Sequence, residues 1–414
     1  MNLFTRFLNR YAFIKGNFLL LTVTWVLMFF SSPIPNTYSG LYYRELGASD
    51  FILSVIGFAG SVALAVVQFP GGYLADKHGR RWLVFTMTFG VAFFSIFFVL
   101  APSWHFIVLG IMLQNLCLIY QPALFATMLD SLSPENRGAG LTLQAVITNL
   151  VSLPAPIIAL FLISTFQFDL GMRLAYAIAT AAYFAAAILR YRLKETLPSN
   201  NGNGHPSLLD AFKKYPRSVS ESLRVWGKIP RDAFYLFIAT AVVGSLFAGC
   251  NTYLLIFAKD VLKISESQWA FALAFMSLSI AVPTILAGLR MDKVGRKRFL
   301  IFGYLCYIPA MLLFVFADFH LLLVAFFFWG LGQMLQNSGY QSLMGDLTPR
   351  DLRGKVVGCS QFFIYLSQAF TQILIGLVYA YVWRPLPFLM LAVAVVPVAL
   401  FIFMRVSEPS AKEV

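Results

Sequence analysis

Gly72-Tyr-Leu-Ala-Asp76-Lys-His-Gly79-Arg80-Arg81 returns 216 residues later as Gly288-Leu-Arg-Met-Asp292-Lys-Val-Gly295-Arg296-Lys297. Both stretches read G-x-x-x-D-x-x-G-R-[RK]. A second phrase repeats at the same offset: Asp130 with Arg137-Gly138 recurs as Asp346 with Arg353-Gly354. Two motifs sharing one offset mean two copies of one unit, each about half the chain.

Composition sets the solvent around these copies. Hydrophobic residues make up 59% of the 414, charged residues 12%, and mean hydropathy is +0.76. A soluble domain carries about a quarter charged residues. This chain has too little polar surface for water, so the sequence predicts an integral membrane protein. The net charge of +13 does not indicate nucleic acid, because the basic residues sit in short gaps between apolar runs and form no basic face. Cys117, Cys250, Cys306 and Cys359 lie in apolar runs without C-x-x-C or His partners. They read as small apolar side chains, and no metal site is expected.

A helix needs about 20 apolar residues to cross a bilayer. Twelve segments qualify: 16–43, 50–75, 81–101, 104–130, 137–166, 170–193, 231–259, 266–290, 297–317, 320–346, 353–382 and 385–406. Backbone polar groups cannot stay unpaired in lipid, so these are expected to be helices. With both termini cytoplasmic, 26 of the 31 Lys and Arg fall inside and 5 outside. That asymmetry follows the positive-inside rule and supports the count of twelve. The first segment outruns a signal-peptide core and pairs with 231–259, so it is read as a retained span.

The expected organisation is a six-helix bundle over 1–193, a cytoplasmic linker over 194–230 and a second bundle over 231–414. In the linker, Leu208, Phe212, Tyr215, Val219, Leu223 and Trp226 alternate with basic residues, as in a helix lying on anionic lipid.

Twelve spans, a basic central loop and the doubled G-x-x-x-D-x-x-G-R-[RK] phrase resemble the major facilitator superfamily over essentially the whole chain. The resemblance implies an all-α membrane fold of two six-helix bundles related by a pseudo-two-fold axis, moving a small molecule by alternating access. It implies a cytoplasmic charge network of Asp76, Arg80 and Asp130 clamping the first half against helix eleven. Asp292, Arg296 and Asp346 would do the same against helix five. Gly72 and Gly288 permit close helix approach; Gly79 and Gly295 serve tight turns; Arg137 and Arg353 complete the gating set. Static anchoring explains the basic residues but not an Asp at the same place twice.

In this family the site lies between helices one, four, seven and ten. Polar residues there include Asn36, Gln121, Asn251, Gln336, Asn337 and Tyr340, the candidate substrate contacts; Gln121 and Asn337 are matched across the repeat. No Asp, Glu, Lys or Arg lies in the middle third of any span, which favours a small neutral or weakly polar solute. Any H+ coupling would use border carboxylates. Pro154-Ala-Pro156 keeps the proline but not the glycines of the drug/proton antiporters, so lipophilic efflux stands as the alternative. A receptor on the same scaffold would need a larger soluble tail. The four His are mutually distant and no catalytic motif occurs, so neither an enzyme nor a cofactor is expected. The anticipated form is a monomer in the cell membrane, in contact with lipid and its solute.

Overall fold

The computed structural model describes residues 13–68, 79–196, 229–348 and 353–408. The linker segment read as amphipathic lies outside them. Among the described residues there is no strand, and eleven helices are long and apolar enough to cross a membrane. Helix Glu266–Val294 stands between two of these and completes twelve.

The spans are α1 (Gly16–Asn36, continued by Ser39–Glu45), α2 (Asp50–Val67), α3 (Arg80–Val99), α4 (Trp104–Asp130), α5 (Arg137–Thr165) and α6 (Phe168–Arg190). The second set is α7 (Arg231–Asp260), α8 (Glu266–Val294), α9 (Arg296–Val315), α10 (Phe319–Leu347), α11 (Arg353–Leu377) and α12 (Leu386–Arg405). Several are interrupted where the sequence removes a backbone donor. Pro33 and Pro35 follow the break in α1, Pro122 follows a 3-10 turn in α4, and Pro154 lies in the break in α5 with Pro156 just after it.

Helix alternation gives the molecule two ends. One carries the turns before α3 and α9, the motif face. The other, the far face, carries the turns α1–α2, α7–α8 and α11–α12. The core differs between them. One apolar cluster runs from the first half into the second, joining Ile34, Tyr38 and Leu53 to Ile256, Trp269 and Tyr379. A separate cluster, with Phe18, Val84, Tyr120, Met128 and Leu193, belongs to the first half alone. Large side chains on the outer faces, such as Phe93, Phe161, Phe302 and Val393, are exposed, as suits helices facing lipid.

Candidate functional site

The halves meet through polar contacts at the far face. Arg44 at the end of α1 and Asp260 at the end of α7 occupy the same position in the two repeats, 216 apart, and pair at 2.8 Å. Arg384 pairs with Asp50 at 3.3 Å, also across the seam. Arg44 reaches Asp50 at 3.6 Å and Arg384 reaches Asp260 at 3.7 Å, so two cations and two anions alternate in a closed ring. Among the described residues these are the ion pairs that cross between halves.

Two tyrosines repeat the same logic. Tyr38 of α1 donates to the carbonyl of Glu266, the first residue of α8, at 2.6 Å. Tyr253 of α7 donates to the carbonyl of Asp50, the first residue of α2, at 2.8 Å. Residues 50 and 266 are again repeat equivalents. Trp269 Nε1 donates to the Thr37 carbonyl at 3.3 Å. Gln372 of α11 donates to Ser61 of α2 at 3.2 Å, and its Oε1 is buried without a partner. The seam tightens further where Gly376 of α11 meets the buried Ser54 of α2: a Cβ at Gly376 would overlap Ser54 and come within 3.0 Å of the Tyr253 hydroxyl.

Directly beneath this seal lies a cavity of about 400 Å³ with walls from both halves. Asn36, Thr37, Tyr43 and Asn115 face Asn251, Thr252, Trp269 and Trp329 across it. Asn115 is held by the Gly60 carbonyl at 3.0 Å. Of the six sequence-predicted substrate contacts, Asn36 and Asn251 line this space. Gln121 lines a second cavity of about 450 Å³ within the first half. Gln336 accepts from Tyr307 at 3.1 Å, Tyr340 packs against the core, and Asn337 is exposed; none of the three lines either cavity. The six are therefore not brought together in one place.

At the motif face, Arg80 pairs with Asp130 and Arg296 with Asp346, each within its own half. Gly72 and Asp76 lie outside the described residues. Gly288 and Asp292 fall on α8 and Arg353 opens α11, but the side chains of Asp292 and Arg353 and the surroundings of Gly288 also lie outside the description; Arg137 opens α5 and is exposed. Gly79 and Gly295 precede α3 and α9 with φ of 82° and 99°, a region glycine alone enters freely. Their turns carry a feature the sequence reading missed. Glu195 accepts from the first two backbone N–H groups of α3 at 3.3 and 3.1 Å. Glu408 accepts from the first N–H of α9. These carboxylates sit where the helix dipole favours negative charge. In both copies a Glu just past the last helix of the half caps its third helix.

The seam charges Arg44, Asp50, Asp260 and Arg384 belong to no motif in the sequence and were also missed. Arg190, the last residue of α6, is fully buried. A helical Cα–Cβ bond points toward the N-terminus, so a side chain at the end of α6 is directed back into the bundle.

The family profile described as Major Facilitator Superfamily matches residues 18–289 and 236–414. An uncharacterised MFS-type transporter of Methanocaldococcus jannaschii is 21% identical over 382 residues, covering 90% of each chain. A Na(+), Li(+), K(+)/H(+) antiporter of Planococcus maritimus is 21% identical over 331 residues, 73% of this chain and 74% of that one. A solved D-xylose–proton symporter superposes with a TM-score of 0.72 at 15% identity, covering 94% of this chain and 97% of its own. Likeness at that identity speaks to the fold.

Proposed function

Because this chain belongs to the major facilitator superfamily, a family of membrane transporters, we propose that it carries a small organic solute by alternating access, driven by gradients. The observation that carries the reading is the two-half cavity under a closed far face. The far face is sealed by pairs that cross the seam. At the motif face, the ion pairs among described residues stay within their halves. That arrangement suits a carrier caught with its site shut off from one side, and rocking the halves would exchange one set of contacts for the other.

By charge asymmetry the motif face is cytoplasmic, the far face is outside and both termini are inside, in the cell membrane. The rocking units are 1–193 and 231–414, tethered by 194–230. Asn36 and Asn251, one from each half, are the central solute contacts, and their carboxamides match neutral or weakly polar groups. Arg80–Asp130 and Arg296–Asp346 hold the ends of α3 and α9 in place for the motif-face gate, to which Asp76 and Asp292 contribute. H+ is the coupling ion to test, since one relative is a cation/H+ antiporter.

The test has two stages. Thermal-shift screening of purified protein against metabolites identifies a solute that binds the native state, and its flux into proteoliposomes is measured with and without a pH gradient. Then Ser61→Cys with Gln372→Cys places thiols across the seam. Oxidation is expected to stop flux and reduction to restore it. Flux at the wild-type rate in fully cross-linked protein would overturn alternating access.

A further inference from the structure

We propose that Arg190 is the anion-recognising end of the cargo site, so that the solute carries one carboxylate on a largely apolar or weakly polar body. The word cargo here depends on the transport reading above; the binding claim does not.

Arg190 closes α6 and is 0% exposed. Its Nε donates to Thr24 Oγ1 at 3.2 Å, and its Nη1 donates to Thr88 Oγ1 at 2.7 Å and to the Tyr120 hydroxyl at 3.1 Å. The guanidinium carbon lies 5.3 Å from the Tyr120 ring centre. All these partners are neutral, and among the described residues Arg190 makes no ion pair. Thr24 and Thr88 each lie eight residues into their helices, so the charge sits about 12 Å in from the helix ends. A lipid-facing arginine reaches outward to water; this one reaches inward. A buried cation without a counter-ion is costly and persists where something requires it.

The duplication supplies an internal control on whether the fold requires it. The repeat equivalents of Thr24, Thr88 and Tyr120 are Thr240, Tyr304 and Gln336. In the second half Tyr304 donates to Thr240 at 3.1 Å, closing a neutral pair. The end of α12 can be aligned by shared contacts. Tyr191 accepts from Arg81 through its carbonyl at 3.0 Å and lies under that guanidinium. Phe403 accepts from Lys297 at 2.8 Å and lies under its ammonium. The residue before each is fully buried: Arg190 in one half, Ile402 in the other. The same bundle is therefore built with an isoleucine in that place, and a scaffold role does not account for the cation.

What surrounds Arg190 is a binding space. It lines the 450 Å³ cavity together with Gln114, Gln121, Gln144, Trp25 and Phe125. A cavity of about 190 Å³ shares Ser32, Gln114 and Tyr183 with this space and Asn36 and Tyr43 with the central cavity, linking the two by a polar path. Among the described residues, no second charged side chain lines the 450 Å³ cavity. One cation matches a monoanion, whereas a phosphate dianion would bring a charge with no partner. The planar fork suits a carboxylate, carboxamides offer further N–H donors, and the aromatic walls take an apolar body.

The experiment uses the full chain in nanodiscs of neutral lipid. The probes are benzoate, phenylacetate and hexanoate, each beside its amide, with inorganic phosphate as the other anion. At least one carboxylate is expected to raise the melting temperature while its amide and phosphate do not. Arg190→Gln should weaken that binding by about tenfold or more, the size of a lost hydrogen bond to a charged group. Arg190→Lys, which keeps the charge but not the fork, should fall between, and is read instead if the Gln variant fails to fold. Arg190→Met separates ligand recognition from scaffolding: without ligand it should melt at or above the wild-type temperature, because an uncompensated charge has gone. The proposal is overturned if acid and amide shift alike, if phosphate alone binds, if none of the probes binds, or if Arg190→Gln keeps the full carboxylate response. It is also overturned if Arg190→Met melts lower and still responds. Loss of proteoliposome flux with Arg190-dependent binding intact sinks the transport reading instead.

Discussion

Gly376→Ala is the sharpest test of the sealed far face. The added methyl would overlap Ser54 Cβ and Oγ, with the Tyr253 hydroxyl 3.0 Å away. Ser54 is fully buried and bonded to the Phe51 carbonyl at 2.6 Å, so it has little room to retreat. Overpacking of this kind costs about 1–3 kcal/mol. Alanine also favours helix over glycine by about 1 kcal/mol, but that gain is common to sealed and open conformations and cancels between them. Only the clash differs, since parting α2 from α11 relieves it. The population open at the far face should therefore rise by about five- to 150-fold. The assay is alkylation of Asn251→Cys, beneath the seal, by an impermeant maleimide applied from the far side. Adding Ser54→Gly removes the atoms the methyl meets and should return the rate toward the parent. A labelling rate within about twofold of the Asn251→Cys parent, or failure of Ser54→Gly to reverse a gain, would refute the reasoning.

Three further outcomes are expected. Arg44→Gln and Asp260→Asn should each loosen the seal by up to about 1 kcal/mol, since both groups are partly exposed, and the double variant should differ from their sum because the two share one ring; the same labelling rate, read at low and high salt, reports this. Glu195→Gln should lower thermal stability by about 0.5–1 kcal/mol through loss of a charged cap on α3, and Glu408→Gln should add to it almost independently, as distant sites do. Asp76→Asn should lower flux and shift the resting population toward a motif-face opening; normal transport in reconstituted vesicles would remove Asp76 from the gate.

Hydropathy and the doubled motif made the twelve helices and their pairing legible in the sequence, because length and apolarity alone decide what can span lipid. Asn36 and Asn251 were legible as cavity residues for a related reason: a carboxamide in a membrane helix must face something polar. Gln336 obeyed the same rule and found Tyr307 instead, which no spacing reveals. The seam was less visible. Arg44 and Asp260 each look like ordinary helix-end charges, and only the 216-residue offset between them hints that they meet. Arg190 escaped because charge was sought in the middle third of each span. A long side chain rooted at a helix end enters the bundle from below that window. The small buried residues one turn ahead of it on the same face, Ala186 and Ala187, were the available signal.

The clasp between Arg44 and Asp260 carries a consequence for the history of the molecule. They are one address in two copies, and an address lying beside a two-fold axis confronts its own duplicate. A homodimer of identical six-helix chains would therefore set arginine against arginine there, or aspartate against aspartate, and either would push the protomers apart. This closure is open only to copies that differ in sequence, as the two halves of this chain do. Divergence between the copies lets opposite signs occupy what would otherwise be a single site facing itself.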